Sequence, residues 1–362
     1  MSFRINMMGR AGWCFSLLNI ATLALSITHA SAGEPRFGPE FEFSTFDQFR
    51  EVAIDTVKKG LELGGTRAAN WIQFAGAKKA NYKVMRQLFE RYRALSSERG
   101  FRVEPRGGDS SVQNLWAFHL RYPDGFWVEF VIDTCVIEVK TMPQTLAEFS
   151  SRADQLQRDV FEVVASVGAK PGKGLGLGNG HVNIDVETGF GGDLLLLRNF
   201  LVDYTNHAEL AHGIHLSGLD RYNAPPLAED REHYEYFRDR FVAAFDRGEL
   251  TRISSIPSGY PGGKFSALNL HFSEPHKERI EIRAIRHQSS IYEFIALARL
   301  FQERIAMLKK LGTPVPLLTR GEILSSLGRL RRYREYVEES GLPWNEYRAL
   351  MPWHLQCASL FL

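Results

Sequence analysis

Cysteine is scarce: three occur in 362 residues. None forms a CxxC pair, which excludes a thiolate zinc site and a dithiol redox centre. Cys135 and Cys357 leave open one disulfide in an oxidising compartment, but Cys135 falls at a strand position where a buried free thiol fits equally well. HExxH is missing, and the cluster His207, His212 and His215 has spacings that share no single helical face, so it makes a poor zinc site. Ser258, Ser266 and Ser273 carry no nucleophile-elbow signature. The glycine-rich run Lys170 to Gly180 has no Ser or Thr after its Gly-Lys pair and leads into a strand, so it is not a Walker loop. Internal repeats and low-complexity stretches are lacking. A basic excess is lacking too: the formal charge is +2, which gives no support for a nucleic-acid partner.

Residues 1–32 differ from the rest. Arg4 and Arg10 precede Trp13 to Ile27, which is mostly apolar and uncharged, and Ala30-Ser31-Ala32 fits a small-x-small cleavage site. This pattern predicts a secretory signal peptide cut after Ala32, and hence a periplasmic or secreted protein with no stable membrane insertion after cleavage. The apolar run is short for a spanning helix. If the export reading fails, the protein is cytoplasmic. Removing the segment leaves 42 acidic residues balanced by an equal number of basic ones.

Hydrophobic periodicity predicts a strand at Glu40 to Phe43, then helices over Thr45 to Leu63 and Lys78 to Arg99. Strands follow at Trp116 to Tyr122, Trp127 to Asp133 and Val136 to Lys140. Tyr122-Pro123-Asp124-Gly125 is a turn signal that makes the first two a hairpin. A helix at Ala147 to Val167, a strand at His181 to Val186, and helices at Asp193 to His212 and Glu229 to Arg247 come next. Two more strands lie around Leu268 and Ile280, and the pattern from Ser290 is helical. The expected fold class is α+β, a curved antiparallel sheet with helices on its outer face. The expected organisation is a signal segment (1–32), a catalytic domain (33–311) and a helical tail (312–362).

The chemistry lies in short polar-apolar alternations: Gly38-Pro39-Glu40-Phe41-Glu42-Phe43, Val136-Ile137-Glu138-Val139-Lys140, His181-Val182-Asn183-Ile184-Asp185, Leu268-Asn269-Leu270-His271 and Arg279-Ile280-Glu281-Ile282-Arg283. Residues i and i+2 of a strand share a face. Each segment therefore sets apolar residues on one face and acids, His, Asn or Arg on the other. Carboxylates gathered on one face repel unless cations sit between them, and hard oxygen ligands suit Mg2+ or Mn2+. Arg283 offers a fixed fork for phosphate or carboxylate. The competing reading is a solvated sheet face, with Glu281 in a simple ion-pair network with Arg279 and Arg283.

These five motifs, in this order, resemble the amidoligase group of the carboxylate-amine ligase superfamily, which has the glutamine synthetase and glutamate-cysteine ligase fold. The resemblance spans roughly residues 37–300. It implies a glutamine-synthetase-like sheet and an ATP- and Mg2+- (or Mn2+-) dependent ligase that forms an amide or isopeptide bond through an acyl phosphate. It implies metal ligation by Glu40, Glu42, Glu138, Glu281 and His181, and phosphate contact by His181 and Arg283; separately, Lys173 in the glycine-rich run is a candidate contact for phosphate or an anionic substrate, against the reading of that run as a flexible loop at the mouth of the site. His181, Glu281 and Arg283 would be catalytic, and Asn183, Asn269 and His271 would meet substrate. Relatives in the group often assemble into oligomers. An exported ligase conflicts with the scarcity of ATP outside the cytoplasm. Two alternatives therefore stand: an exported metal-dependent amidase acting on peptidoglycan peptides without ATP, and a non-catalytic periplasmic binding protein. The substrate in each case is a small molecule or a peptide.

Overall fold

The structure, a computed structural model, describes residues 33–45, 77–106, 115–133, 136–171, 179–208, 210, 226–256, 266–272, 278–325 and 329–351. In chain order the strands are β1 (Arg36–Ser44), β2 (Arg102–Arg106), β3 (Ala117–Arg121), β4 (Trp127–Asp133), β5 (Val136–Thr141), β6 (Gln144–Thr145), β7 (Lys170–Pro171), β8 (Asn179–Asp185), β9 (Leu268–His271) and β10 (Arg279–Arg286). They form one open sheet in the order β2-β3-β4-β5-β1-β8-β10-β9, with β6 and β7 pairing the two ends of β1. Every neighbouring pair is antiparallel.

The expected hairpin joins β3 to β4. Tyr122 N–H donates to the Phe126 carbonyl at 2.9 Å, and Gly125 N–H to the Tyr122 carbonyl at 3.0 Å. Gly125 has φ 86°, a conformation that costs a glycine nothing sterically.

The alternation of each strand decides which face is covered. Phe41 and Phe43 of β1, Phe118 of β3, Phe130 of β4, Ile137 and Val139 of β5 and Ile280 and Ile282 of β10 are all buried. Helices pack on this apolar face. The first is α1 (Ala77–Arg99). The second, α2, runs through Leu146–Ser151, Ala153–Leu156, a π-helical stretch Gln157–Glu162 and Val163–Ser166. Tyr92 of α1 rests against Phe118 and Phe130, while Phe161 of α2 meets Phe41 at 4.9 Å between ring centroids. Buried aromatics supply most apolar area per residue and hold such a layer together. Tyr92 Oη donates to the Asp159 carbonyl at 2.6 Å. That contact reaches the middle of the π-helical stretch, where the regular helical ladder is interrupted.

Thr145 and Glu148 form a capping box that starts α2 directly after β6, satisfying two end groups reciprocally. Asp185, the last residue of β8, caps the short α3 (Val186–Phe190). Asp193 caps α4 (Leu194–Asn206). That helix ends at Asn206, short of the expected His212, because His207 leaves helical geometry (φ −105°, ψ 61°). The expected Glu229 to Arg247 helix is α5, made of Arg231–Tyr236, a π-helical stretch Phe237–Val242 and Ala243–Asp246. The remaining helices are α6 (Ile291–Leu311), α7 (Arg320–Leu324), α8 (Arg329–Glu339) and α9 (Trp344–Ala349). The expected helix at Thr45 to Leu63 lies almost wholly outside the described residues, as do residues 1–32, Cys135 and Cys357.

An extended segment after α6 is bound by side chains of α4. Asn199 donates to the Thr313 carbonyl and accepts from Val315 N–H; Asn206 does the same with the Pro316 carbonyl and Leu318 N–H, all at 2.9 Å. Seven residues apart, the two amides lie on one helix face. Beyond this segment, Tyr333, Tyr336 and Tyr347 join the same core as the sheet. No helix among the described residues is long and apolar enough to cross a membrane.

Candidate metal centre and adjoining cleft

The face of the sheet opposite the aromatic layer carries the polar phase of its strands, and the register aligns it. One row crosses six strands: Glu104, His119, Glu129, Lys140, Glu40 and His181 are successive cross-strand partners. A second places Glu42 opposite Glu138. A third places Gly38 opposite Asn183, Asn183 opposite Glu281 and Glu281 opposite Asn269. Residues opposed in this way have neighbouring side chains on the same face. Segments far apart in the chain therefore deliver their acids to one place.

Glu40, Glu138, His181, Asn183, Asn269 and Glu281 are all buried. His181 is the hub. Its Nδ1 lies 3.0 Å from Glu40 Oε2 and 3.1 Å from Glu281 Oε1, and its Nε2 lies 3.6 Å from Glu42 Oε1. Asn183 Nδ2 donates to Glu40 Oε1 at 3.0 Å and to the Gly38 carbonyl at 3.1 Å. Arg279 Nε donates to Asn183 Oδ1 at 3.0 Å, fixing which way the amide points. Asn269 Nδ2 and His271 Nε2 lie 2.9 and 2.8 Å from Glu281 Oε2, and Arg283 Nη1 donates to Glu281 Oε1 at 2.6 Å. Lys140 Nζ lies 3.0 Å from Glu138 Oε2 and 3.7 Å from Glu40 Oε1.

The electrostatics follow from this crowding. Burial disfavours a charged His181, yet its hydrogen bonds to Glu281 and Glu40 prevail and push its pKa up to about 10. Burial likewise disfavours charge on Glu40 and Glu281, but the contacts to His181 prevail and hold both well below the usual carboxylate range. Glu138 is left with the proton. Burial, then the charge of Glu40, raise it to about 9. Two carboxylates this close resist ionising together, and the ammonium of Lys140 offsets only part of that resistance.

A β-bulge shapes the site. Across β8 and β10 the register shifts between Ile282 and Ile285, so Arg283 and Ala284 together face His181. Bulges re-aim side chains in this way beside functional sites. Arg283 Nε is buried with no partner among the described residues, an orphaned donor of the kind that an anion satisfies. At Gly180, beside the bulge, a Cβ would stand 2.3 Å from Gln288 Oε1, so a larger residue there would have to push aside the end of the buried Gln288 side chain.

Ligand atoms of Glu40, Glu138 and His181 all lie within 4.8 Å of one another. Two carboxylates and an imidazole fit Mn2+ well and Mg2+ through the carboxylates. Next to this triad opens a cleft of about 450 Å³, lined among others by Glu40, Lys140, Asn183, Trp127, Asp185 and Arg279. Its size falls in the range of small-molecule sites.

The expected residues thus fall into three groups. Glu40, Glu42, Glu138, His181 and Glu281 come together with Arg283. Asn183 walls the cleft but spends its amide on Gly38, Glu40 and Arg279, while Asn269 and His271 turn to Glu281. Lys173 lies outside the described residues. Sequence reasoning passed over Lys140, Trp127 and the pair His119–Glu129, joined at 3.3 Å with Arg106 bonded to the same Glu129 oxygen. The signal was available: Lys140 is two residues beyond Glu138, and His119 and Glu129 occupy the polar phase of the predicted hairpin.

No family model matches the chain, and no curated protein matches it. Among solved structures the chain is similar to the crystal structure of the complex between prokaryotic ubiquitin-like protein Pup and its ligase PafA. Sequence identity is 13% and the TM-score 0.38, over 90% of this chain and 60% of that one. The chain thus spans about 60% of the matched chain's length, and the likeness is too distant to decide chemistry.

Proposed function

We propose that this protein is a carboxylate-amine ligase, forming an amide or isopeptide bond with ATP and Mg2+ or Mn2+. One observation carries the reading: the five motifs that resemble the amidoligase group meet on a single sheet face, around His181, with Glu40 and Glu281 in bonding contact with its imidazole and Glu138 close by. Glu40, Glu138 and His181 would hold a cation, with Glu42 and Glu281 flanking it. Bound there, the cation would neutralise phosphate oxygens, the main requirement of phosphoryl transfer besides positioning.

The remaining roles belong to the chain's own groups. Glu281 holds Arg283 at 2.6 Å and so aims a guanidinium with a spare buried donor at the phosphate side. Asn269 and His271 hold Glu281 in turn. Asn183, locked by Arg279, keeps Glu40 oriented. The cleft beside Glu40 receives the carboxylate or amine substrate, with Trp127 and Pro143 as apolar wall and Arg279 and Asp185 as charged wall. A small molecule or a peptide end fits that mixture of surfaces.

The N-terminal segment favours a second reading. A chain exported by Arg4, Arg10 and the Trp13 to Ile27 run would meet little ATP, and the same cluster could activate water against an amide of a peptidoglycan peptide. Incubation with Mg2+ separates the two. Phosphate release that needs both ATP and a peptide amine supports the ligase. Cleavage of muropeptides without nucleotide supports the amidase and refutes the ligase.

A further inference from the structure

Lys140 has a position that the ligase reading does not use. The register sets it opposite Glu40 on one side and Glu129 on the other. Its ammonium lies 3.0 Å from Glu138 and 3.7 Å from Glu40. Those two carboxylates are also two of the three groups whose ligand atoms converge for a cation. An ammonium and a divalent ion cannot share the same lone pairs, and at such range they repel strongly. Lys140 also has somewhere to go. Its side chain is 34% exposed and forms part of the cleft wall together with Arg279. A four-carbon stem with a point charge at its end can swing between such berths, which the rigid fork of an arginine could not do as freely. Among the cations of this face, Arg283 is tied to Glu281 and Arg279 to Asn183. Among the described residues, Lys140 is the cation that leans on the ligand carboxylates of both β1 and β5.

We propose that Lys140 is a tethered cation, the counter-ion of Glu40 and a hydrogen-bond donor to Glu138, which holds both side chains in place until a divalent cation displaces it, and that displacement turns its ammonium into the cleft. The inference rests on the metal centre of the ligase reading. It adds that loading the centre changes the charge of the substrate cleft, so that cation and anionic substrate favour one another reciprocally.

The test uses Mn2+ alone, titrated by calorimetry into the wild-type protein, Lys140→Met, Arg279→Met and Arg279→Lys. Arg279 lines the same cleft without touching Glu40 or Glu138, so its loss reports the removal of a nearby positive charge, and Arg279→Lys, which keeps the charge, reports any loosening of Asn183 and Glu40. The expected result is Mn2+ binding at least about tenfold tighter in Lys140→Met, within the usual range of coupling between sites, with a clearly smaller gain in Arg279→Met. Equal gains in the two Met variants, or no gain in Lys140→Met, overturn the displacement while leaving wild-type Mn2+ binding, and hence the metal centre, standing. No Mn2+ binding by any of the four removes the centre and the inference together. A second measurement needs no variant. An amine-directed label, followed at the Lys140 peptide by mass spectrometry, should react faster when Mn2+ is present. A slower or unchanged rate contradicts release of the ammonium into the cleft.

Discussion

Cation binding at the proposed centre should be strongly pH-dependent, and the structure fixes the sign. Without metal, the hydrogen bonds of His181 to Glu281 and Glu40 outweigh its burial and keep it protonated to about pH 10. Burial and the charge of Glu40 keep Glu138 protonated to about pH 9. Both must shed their protons to act as ligands. Between pH 6.5 and 8.5, on the order of two protons should therefore leave for each cation bound. Apparent affinity should rise roughly 100-fold per pH unit, or about 2.7 kcal/mol, as pH increases. Titration of Mn2+ in buffers of different ionisation enthalpy counts the protons directly. Affinity independent of pH, with no proton released, would show that Glu138 and His181 are not ligands and would refute the electrostatic reasoning behind the site.

The same groups set the stability of the metal-free protein. His181 and Glu138 have folded pKa values raised above their unfolded ones, so their contribution is complete below the unfolded values and is lost as pH climbs toward 9 to 10. Glu40 and Glu281 are depressed and contribute above the unfolded carboxylate range, losing that contribution in acid. Chemical denaturation should accordingly show metal-free stability falling from mildly acidic pH toward pH 9, with Mn2+ restoring it; stability that rises over that range contradicts the assignment. Glu40→Gln and Glu281→Gln should each lower turnover by at least about a hundredfold while the far-UV circular dichroism stays unchanged, and near-normal rates would remove those residues from the mechanism. Gly180→Ala should cost about 1–3 kcal/mol by overpacking against Gln288, measurable in urea, and the loss should shrink when Gln288 is shortened to Ser.

Much of the fold is legible in the alternation itself. Phe41 and Phe43, Ile137 and Val139, and Ile280 and Ile282 alternate with acids at period two, and each apolar set is buried under helices. The turn at Tyr122 to Gly125 is equally local, because Gly125 supplies the positive φ that the hairpin needs. Strand order is another matter. Nothing in one sequence says that β1 lies between β5 and β8, since cross-strand neighbours need carry no mark of each other. The convergence of Glu40, Glu138, His181 and Glu281 was visible only as five polar phases, and the resemblance to a family supplied their common face. Lys140 was overlooked because a lysine after an acid reads as a surface ion pair. The register, which sets it against both Glu40 and Glu129, gives it another meaning. The bulge left a trace in the sequence: the apolar phase of β10 slips from Ile282 to Ile285, three residues instead of two.

The central claim is that Glu40, Glu138 and His181 together grip one divalent cation. A crystal grown with Mn2+ at pH 8.5, measured at an energy where manganese scatters anomalously, tests it directly. The expected result is an anomalous peak within about 2.0–2.3 Å of a carboxylate oxygen of Glu40, a carboxylate oxygen of Glu138 and a ring nitrogen of His181. A map with no peak there, or with manganese bound only elsewhere on the molecule, would contradict the account.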